Sequence, residues 1–397
     1  MPFTLNVKYS DIIIIILFIS SPLVALNVAF RNIFYKLSAQ IFAVFIFFLL
    51  FMGIYSNDVV RHLSGVVQYA FCFFILIPVL LSHSKGDMNK ILMPFIFGAM
   101  FSLCLLVVSY VSGTKLFSEI ITYGLTGGGV NRYSIGATND YGFILAVTII
   151  FIHLVFRHLS KILKLVFSLF FVVALVGLIV TASRSSFILL AAYFFIVVMV
   201  TMLKNKRVRI KALGSFVVIS VLSVAVLPSV GEFIFIDNLK RMTSISLDLN
   251  EMAGDRFEQY HIGAEMVNEN AMAIGRGINS YQDLSLSTHP IHNVFIIMAV
   301  EAGILPGFLF FFFWMSILIV SVRSWTIGIT SFAIIASVLL YIQTITHIYD
   351  RFFWIPIAIS FLLFTANNNV RFSKKILCFK NIRCDNSIVK LNKKSIL

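Results

Sequence analysis

The sequence predicts an all-α protein built for lipid, a polytopic bundle of about 10–12 transmembrane helices in one membrane domain over residues 1–397. Three observations predict it. First, 59% of the residues are hydrophobic and 12% are charged, with a mean hydropathy of +0.97. A soluble domain keeps about a quarter of its residues charged, so this much apolar surface requires the bilayer as solvent. Second, apolar runs long enough to cross the hydrocarbon recur along the chain. Third, Lys and Arg concentrate in alternate short loops.

The runs, in order, are 11–30, 37–55, 64–83, 91–112, 140–156, 164–182, 186–203, 212–230, 304–322, 326–347 and 352–368. The first follows a nearly uncharged N-terminus, and no small-residue cleavage site comes after it. It is expected to be a retained span. Residues 291–303 are also apolar but too short to cross alone. If the C-terminal tail 369–397 is placed in the cytoplasm and the spans alternate, the inner segments are 31–36, 84–90, 157–163, 204–211, the turn at Arg323 and the tail. These hold most of the Lys and Arg but only two of the 17 acidic residues, Asp87 and Asp385. That asymmetry is the positive-inside signal. It accounts for the net charge of +14 without nucleic acid as a partner. The stretch Lys204-Asn205-Lys206-Arg207-Val208-Arg209-Ile210-Lys211 is the strongest anchor.

Two sizeable segments then face outward, 113–139 and 231–303. Within the second, residues 254–270 place Phe257, Tyr260, Ala264 and Val267 at helical spacing, with Arg256, Glu258, Glu265 and Glu269 on other faces. A surface helix over the bundle is expected. Cys72 and Cys104 fall in spans and Cys378 and Cys384 in the tail, without zinc-site spacing, and no disulfide is expected.

The inner side carries no phosphate-binding glycine loop, no Cys/His cluster and no His-Glu-x-x-His. The outer side collects Arg132, Arg184, Arg256, Arg276, His289, His292, Asp350 and Arg351 near helix ends or in the large loops. Arg184 lies in Thr181-Ala182-Ser183-Arg184-Ser185-Ser186, a polar break between two apolar runs. It is either an interfacial anchor or a phosphate contact, to which the serines and the helix start would add donors. Arg132 follows Thr126-Gly127-Gly128-Gly129-Val130-Asn131, so a mobile glycine loop could fold it over a charged head group. Arg256 follows Gly254-Asp255, and a local ion pair with Asp255 or Glu258 would account for it. Gly275-Arg276-Gly277 has the form of a turn. His289-Pro290-Ile291-His292-Asn293 closes the long loop, and an imidazole there titrates near neutral pH and suits a general base. A metal on His289 and His292 lacks a third ligand nearby. His347, Asp350 and Arg351 make the last outer turn, which an Asp350–Arg351 pair would tie.

The order of these residues carries more than any one of them. Asn131-Arg132 with Gly136 and Asn139, Ser183-Arg184, Arg256, Gly275-Arg276-Gly277, then His292-Asn293 leading to Glu301-Ala302-Gly303 resembles the O-antigen polymerase and O-antigen ligase superfamily over about residues 90–310. The most specific piece is His-Asn, nine intervening residues and then Gly, which Gly303 satisfies. The ligase form of the motif has Gly, Thr or Tyr three places further on, where this chain has Pro306 and then Gly307.

The resemblance implies a fold like the C-type membrane glycosyltransferases, in the bacterial inner membrane with the site facing the periplasm. It implies metal-independent glycosyl transfer without a cofactor. The donor would be an oligosaccharide on undecaprenyl pyrophosphate, held among membrane lipid, with a chain-length regulator as partner. By position, His292 and Arg184 would be catalytic. Arg132, Arg256, Arg276, Asn293 and Asp350 would bind substrate. A polymerase would move the chain to the next lipid-linked repeat unit, and a ligase would move it to lipid A–core. The alternative of another class, a flippase or transporter, calls for mid-membrane charges and an internal repeat, and the sequence shows few of the first and no sign of the second.

Overall fold

The computed structural model describes residues 9–84, 87–112, 121–125, 131–135, 138–156, 158–204, 256–269, 275–281, 291–323, 329–345 and 348–364. The expected span at 212–230, most of the basic anchor after Lys204, His289, His347 and the tail 369–397 lie outside these residues.

Apolar side chains and an internally satisfied backbone favour helix in lipid, and helices dominate. They are α1 (Tyr9–Ser20), α2 (Pro22–Arg31), α3 (Ile33–Met52), α4 (Val59–Ser84), α5 (Asn89–Ser112), α6 (Thr138–Phe156), α7 (Lys161–Val180), α8 (Arg184–Lys204), α9 (Arg256–Glu269), α10 (Val294–Ala302), α11 (Ile304–Arg323), α12 (Ile329–Ile342) and α13 (Arg351–Phe364). Among the described residues, seven helices are long and apolar enough to cross a membrane, so the chain is an all-α, multi-pass membrane bundle.

Burial shows which helices face lipid. Buried residues make up 67% of the α6 window but 28% of that of α7. α7 exposes Ile162, Leu165, Leu169, Val172 and Val176, an apolar stripe at helical spacing turned away from the protein. α6 packs between α5, α7 and α8, and α8 packs on α12. The other half centres on α3, α4, α11 and α13. Its core is a nest of fully buried rings: Phe42, Phe45, Tyr69, Phe73, Phe310, Phe313, Trp314 and Trp354. Trp354 donates its indole N–H to the Ile348 carbonyl at 2.8 Å, so a polar ring atom is satisfied within the nest.

Three expectations are corrected in detail. The first run is not one straight span, because α1 and α2 meet at 90°. Pro22 has no N–H to continue the ladder, and the Ser21 N–H bonds the Phe18 carbonyl instead. Arg132, expected on a mobile loop, sits in a strand: β1 (Ile121–Leu125) pairs antiparallel with β2 (Asn131–Ile135), Arg132 opposite Gly124, while the glycine run between them lies outside the described residues. Ile and Tyr on both sides of the glycine run, with Thr122 in β1, favour strands. The surface helix is present as α9, but Ala264 is exposed; Tyr260, Gly263, Met266 and Val267 make its packing face.

α10 is a nine-residue crossbar over one end of the bundle. Asn293 at its start donates to Gln343, just past α12, at 2.8 Å. Its far end, at Glu301, is bonded to the 275–281 segment, which in turn rests on the turn before α4. Gly303 (φ +98°) lets the chain reverse into α11, and Gly307 then lies against Ala299.

Candidate functional site

The break that carries Arg184 is built by close approach of α6 and α8. α7 stops at Val180, and Ala182 adopts a left-handed conformation (φ +49°) before α8 begins at Arg184. A non-glycine residue there is strained and marks a constrained turn. Ser183 and Ser186 are fully buried and share a hydrogen bond at 2.8 Å. Ser183 Oγ also lies 3.3 Å from the Asn139 side-chain oxygen and Ser186 Oγ 3.3 Å from the Asn139 carbonyl, so the two hydroxyl protons are shared among three contacts. A Cβ on Gly142 would stand 2.7 Å from the Ser183 Cβ, so glycine is what admits the serines. The serines expected to join Arg184 in binding an anion are thus committed to helix packing. Arg184 itself is exposed.

The arginine turn is more constrained still. A Cβ on Gly275 would lie 2.1 Å from the Glu301 carbonyl oxygen. One on Gly277, where φ is +107°, would lie 2.0 Å from the Ser56 Oγ. Between the two glycines Arg276 is exposed, and its carbonyl accepts the Asn57 N–H at 3.0 Å.

His292 is half-buried, and its carbonyl accepts the Tyr260 hydroxyl of α9 at 3.0 Å. Asn293 caps α10, its Oδ1 accepting the N–H groups of Phe295 and Ile296 at 3.0 and 3.2 Å. With its amide also on Gln343, Asn293 orients the stretch that holds His292.

The last turn differs from expectation. Arg351 reaches across to Asp11 of α1, its Nε donating to Oδ1 at 2.6 Å and its Nη2 meeting Oδ2. Asp350 stands 3.9 Å from the same guanidinium. The expected Asp350–Arg351 tie is therefore secondary to Asp11, which sequence reasoning missed. The signal was available, because an Asp opening an apolar run needs a partner. Beside Arg351, Ile14, Leu17, Leu76, Val79, Leu80, His83, Phe352 and Ile355 line a cavity of about 380 Å³.

These pieces share one end of the bundle, the site end. The Tyr341 hydroxyl donates to the Asn139 carbonyl at 2.8 Å, which ties the Arg184 break to the end of α12, and Gln343 next to it holds Asn293. The Tyr349 hydroxyl donates to the Asn279 side chain at 3.1 Å, tying the last turn to the arginine turn. Burial raises the Tyr349 phenol well above its ordinary pKa and keeps it a donor. Arg132 lies in β2, which packs on α6, and Arg256 opens α9; their side chains are outside the described residues. Among the described residues no three His, Cys, Asp or Glu side chains group as metal ligands would. Gln259 Oε1, Ser280 Oγ and the Tyr281 hydroxyl are buried without a hydrogen-bond partner, which a water or a hydroxylated ligand would relieve.

No curated protein and no solved structure matches the chain. Residues 169–312 do match a family model, described as O-antigen ligase, over a stretch running from α7 through the Arg184 break, α9 and the His292-Asn293 motif into α11. Residues 169–312 are thus similar to the O-antigen ligase family, consistent with the polymerase and ligase superfamily that the motifs resemble.

Proposed function

We propose that the protein is a surface-polysaccharide (O-antigen) polymerase that transfers a growing glycan from undecaprenyl pyrophosphate to the next lipid-linked repeat unit on the periplasmic face. The observation that carries this reading is the gathering of the Arg184 break, the arginine turn and His292 at one end of a membrane bundle, through Asn139, Tyr341, Gln343 and Asn293.

The chemistry suits those residues. The donor is already activated by its lipid diphosphate, so the site needs no nucleotide. Negative charge grows on the diphosphate as the sugar–phosphate bond breaks. Guanidinium groups fixed beside it lower the energy of that charge more in the transition state than in the ground state. Arg184 and Arg276 fill this role among the described side chains, and Arg132 and Arg256 join them by sequence position. The acceptor hydroxyl forms the new glycosidic bond and gives its proton to His292. No metal takes part in this scheme. The nine acidic residues of 231–290 against four basic ones favour sugar hydroxyls over an anionic polymer as the loop's ligand.

A ligase acting on lipid A–core is the second reading, and the description of the matched family favours it. Pro306, where the ligase motif has Gly, Thr or Tyr, favours the polymerase. The structure gives Gly307 a packing task against Ala299 instead.

Complementation of a deletion strain tests both. Arg184→Ala and His292→Ala should reach the membrane at wild-type level and abolish long-chain polysaccharide on a gel. Core bearing one repeat unit identifies a polymerase, and bare core identifies a ligase. An unchanged ladder in both variants would remove the assignment.

A further inference from the structure

Glu301 has no part in the scheme above, yet its carboxylate is only 2% exposed and both its oxygens are engaged. Oε2 accepts the Asn279 N–H at 2.7 Å and Oε1 accepts the Tyr281 N–H at 3.1 Å. The Glu301 carbonyl accepts the Gly277 N–H at 2.8 Å. A carboxylate so deeply placed is costly unless donors surround it, and the arginine turn supplies two of them from its backbone.

The turn is gripped from its other side as well. His62 of α4 accepts the Ile278 N–H on Nδ1 at 3.0 Å, and its Nε2 faces the Leu49 carbonyl at 2.8 Å. Those two contacts require the neutral ring with its proton on Nε2. The Asn57 N–H bonds the Arg276 carbonyl at 3.0 Å. The backbone from 276 to 281 is therefore fixed from α10 and from α4 at once, while the Arg276 side chain stands exposed between two glycines that tolerate no Cβ.

We infer that Glu301 is a positioning residue that locks the arginine turn, so that Arg276 meets a phosphate of the lipid-linked donor without first losing freedom. The inference rests on the glycosyl-transfer reading for the identity of the anion. The physical gain is preorganisation. A loop already ordered does not lose backbone entropy on binding, and its cation is aimed before the ligand arrives. Glu301 acts through Arg276 and touches no reacting atom.

Two measurements on the full-length protein in lipid nanodiscs test this. Hydrogen exchange over 275–281 should accelerate at least tenfold in Glu301→Gln, because one amide N–H then faces an –NH2 group. Binding of undecaprenyl diphosphate should weaken by a similar factor in Glu301→Gln and Arg276→Ala, with little further loss in the double variant. Glu301→Asp, which keeps a carboxylate, should recover part of both effects. It also carries the test if Glu301→Gln does not accumulate.

Unchanged exchange in Glu301→Gln would overturn the locking role. Accelerated exchange with full binding, or losses that simply multiply in the double variant, would overturn the action through Arg276. Failure of the wild-type protein to bind undecaprenyl diphosphate, with exchange still accelerated in the variant, places the fault in the transferase reading and in the anion named here.

Discussion

Arg184 and Arg351 look alike in the sequence. Each follows a short polar break and each is the first residue of a helix at the site end, where the positive end of the helix dipole opposes a cation. The structure separates them. The Arg351 side chain is 15% exposed and its charge is met by Asp11, itself 5% exposed. Arg184 is exposed, and Ser183 and Ser186 beside it are turned inward to join α6 and α8. One arginine ties two distant stretches of chain at a buried carboxylate, and the other sits at the surface. The lesson is that an arginine at a membrane boundary takes its role from how deeply the folded bundle buries it.

Substitutions at Arg351, Arg184, Asn293 and Asp350 sharpen or break that contrast. The largest effect belongs to Arg351→Ala, which strands the Asp11 carboxylate. About 3–5 kcal/mol of stability should be lost, visible as a lowered melting temperature in detergent, and Asp11→Leu in the same chain should restore much of it. Equal melting of wild type and Arg351→Ala would erase the contrast from the structural side. Arg184→Ala should leave melting unchanged and slow glycan transfer about a hundredfold, on the order of 3 kcal/mol at the transition state. Asn293→Ala removes the α10 cap and the bond to Gln343, and about 1 kcal/mol of stability should go. Asn293→Asp should keep the cap and lose only the donor to Gln343, so its melting should fall between the two. Asp350→Asn should change melting least, by less than about 1 kcal/mol, as expected for a distant and partly exposed pair. A shortened polysaccharide ladder in that variant with normal melting would assign Asp350 to substrate.

Much of the bundle was legible in the sequence, because crossing a bilayer demands long apolar runs and leaves charges only at their ends. That 291–303 would not cross was legible for the same reason, since a mostly apolar stretch of thirteen residues is too short to span. What escaped depended on partners far along the chain. Gly142 and the serines of the Arg184 break are about forty residues apart, and nothing local says that they meet. Asp11 and Arg351 are separated by 340 positions. The bend at Ser21-Pro22 and the strands around the glycine run were written locally, but a longer pattern overrode them, apolar length in one case and loop composition in the other. Of the site itself, the sequence supplied the residue types and their order. It did not reveal that Asn293 caps a helix, or that Glu301 and His62 hold the arginine turn.

The crossbar α10 gives the site a fixed gauge. Nine helical residues make a stiff rod of about 14 Å, pinned at its imidazole end by Gln343 and at its carboxylate end by the arginine turn. One alanine inserted in its middle would leave its composition almost untouched. It would nevertheless swing one end by about 100° relative to the other and push the ends about 1.5 Å apart, so His292 and Arg276 would no longer address the same molecule.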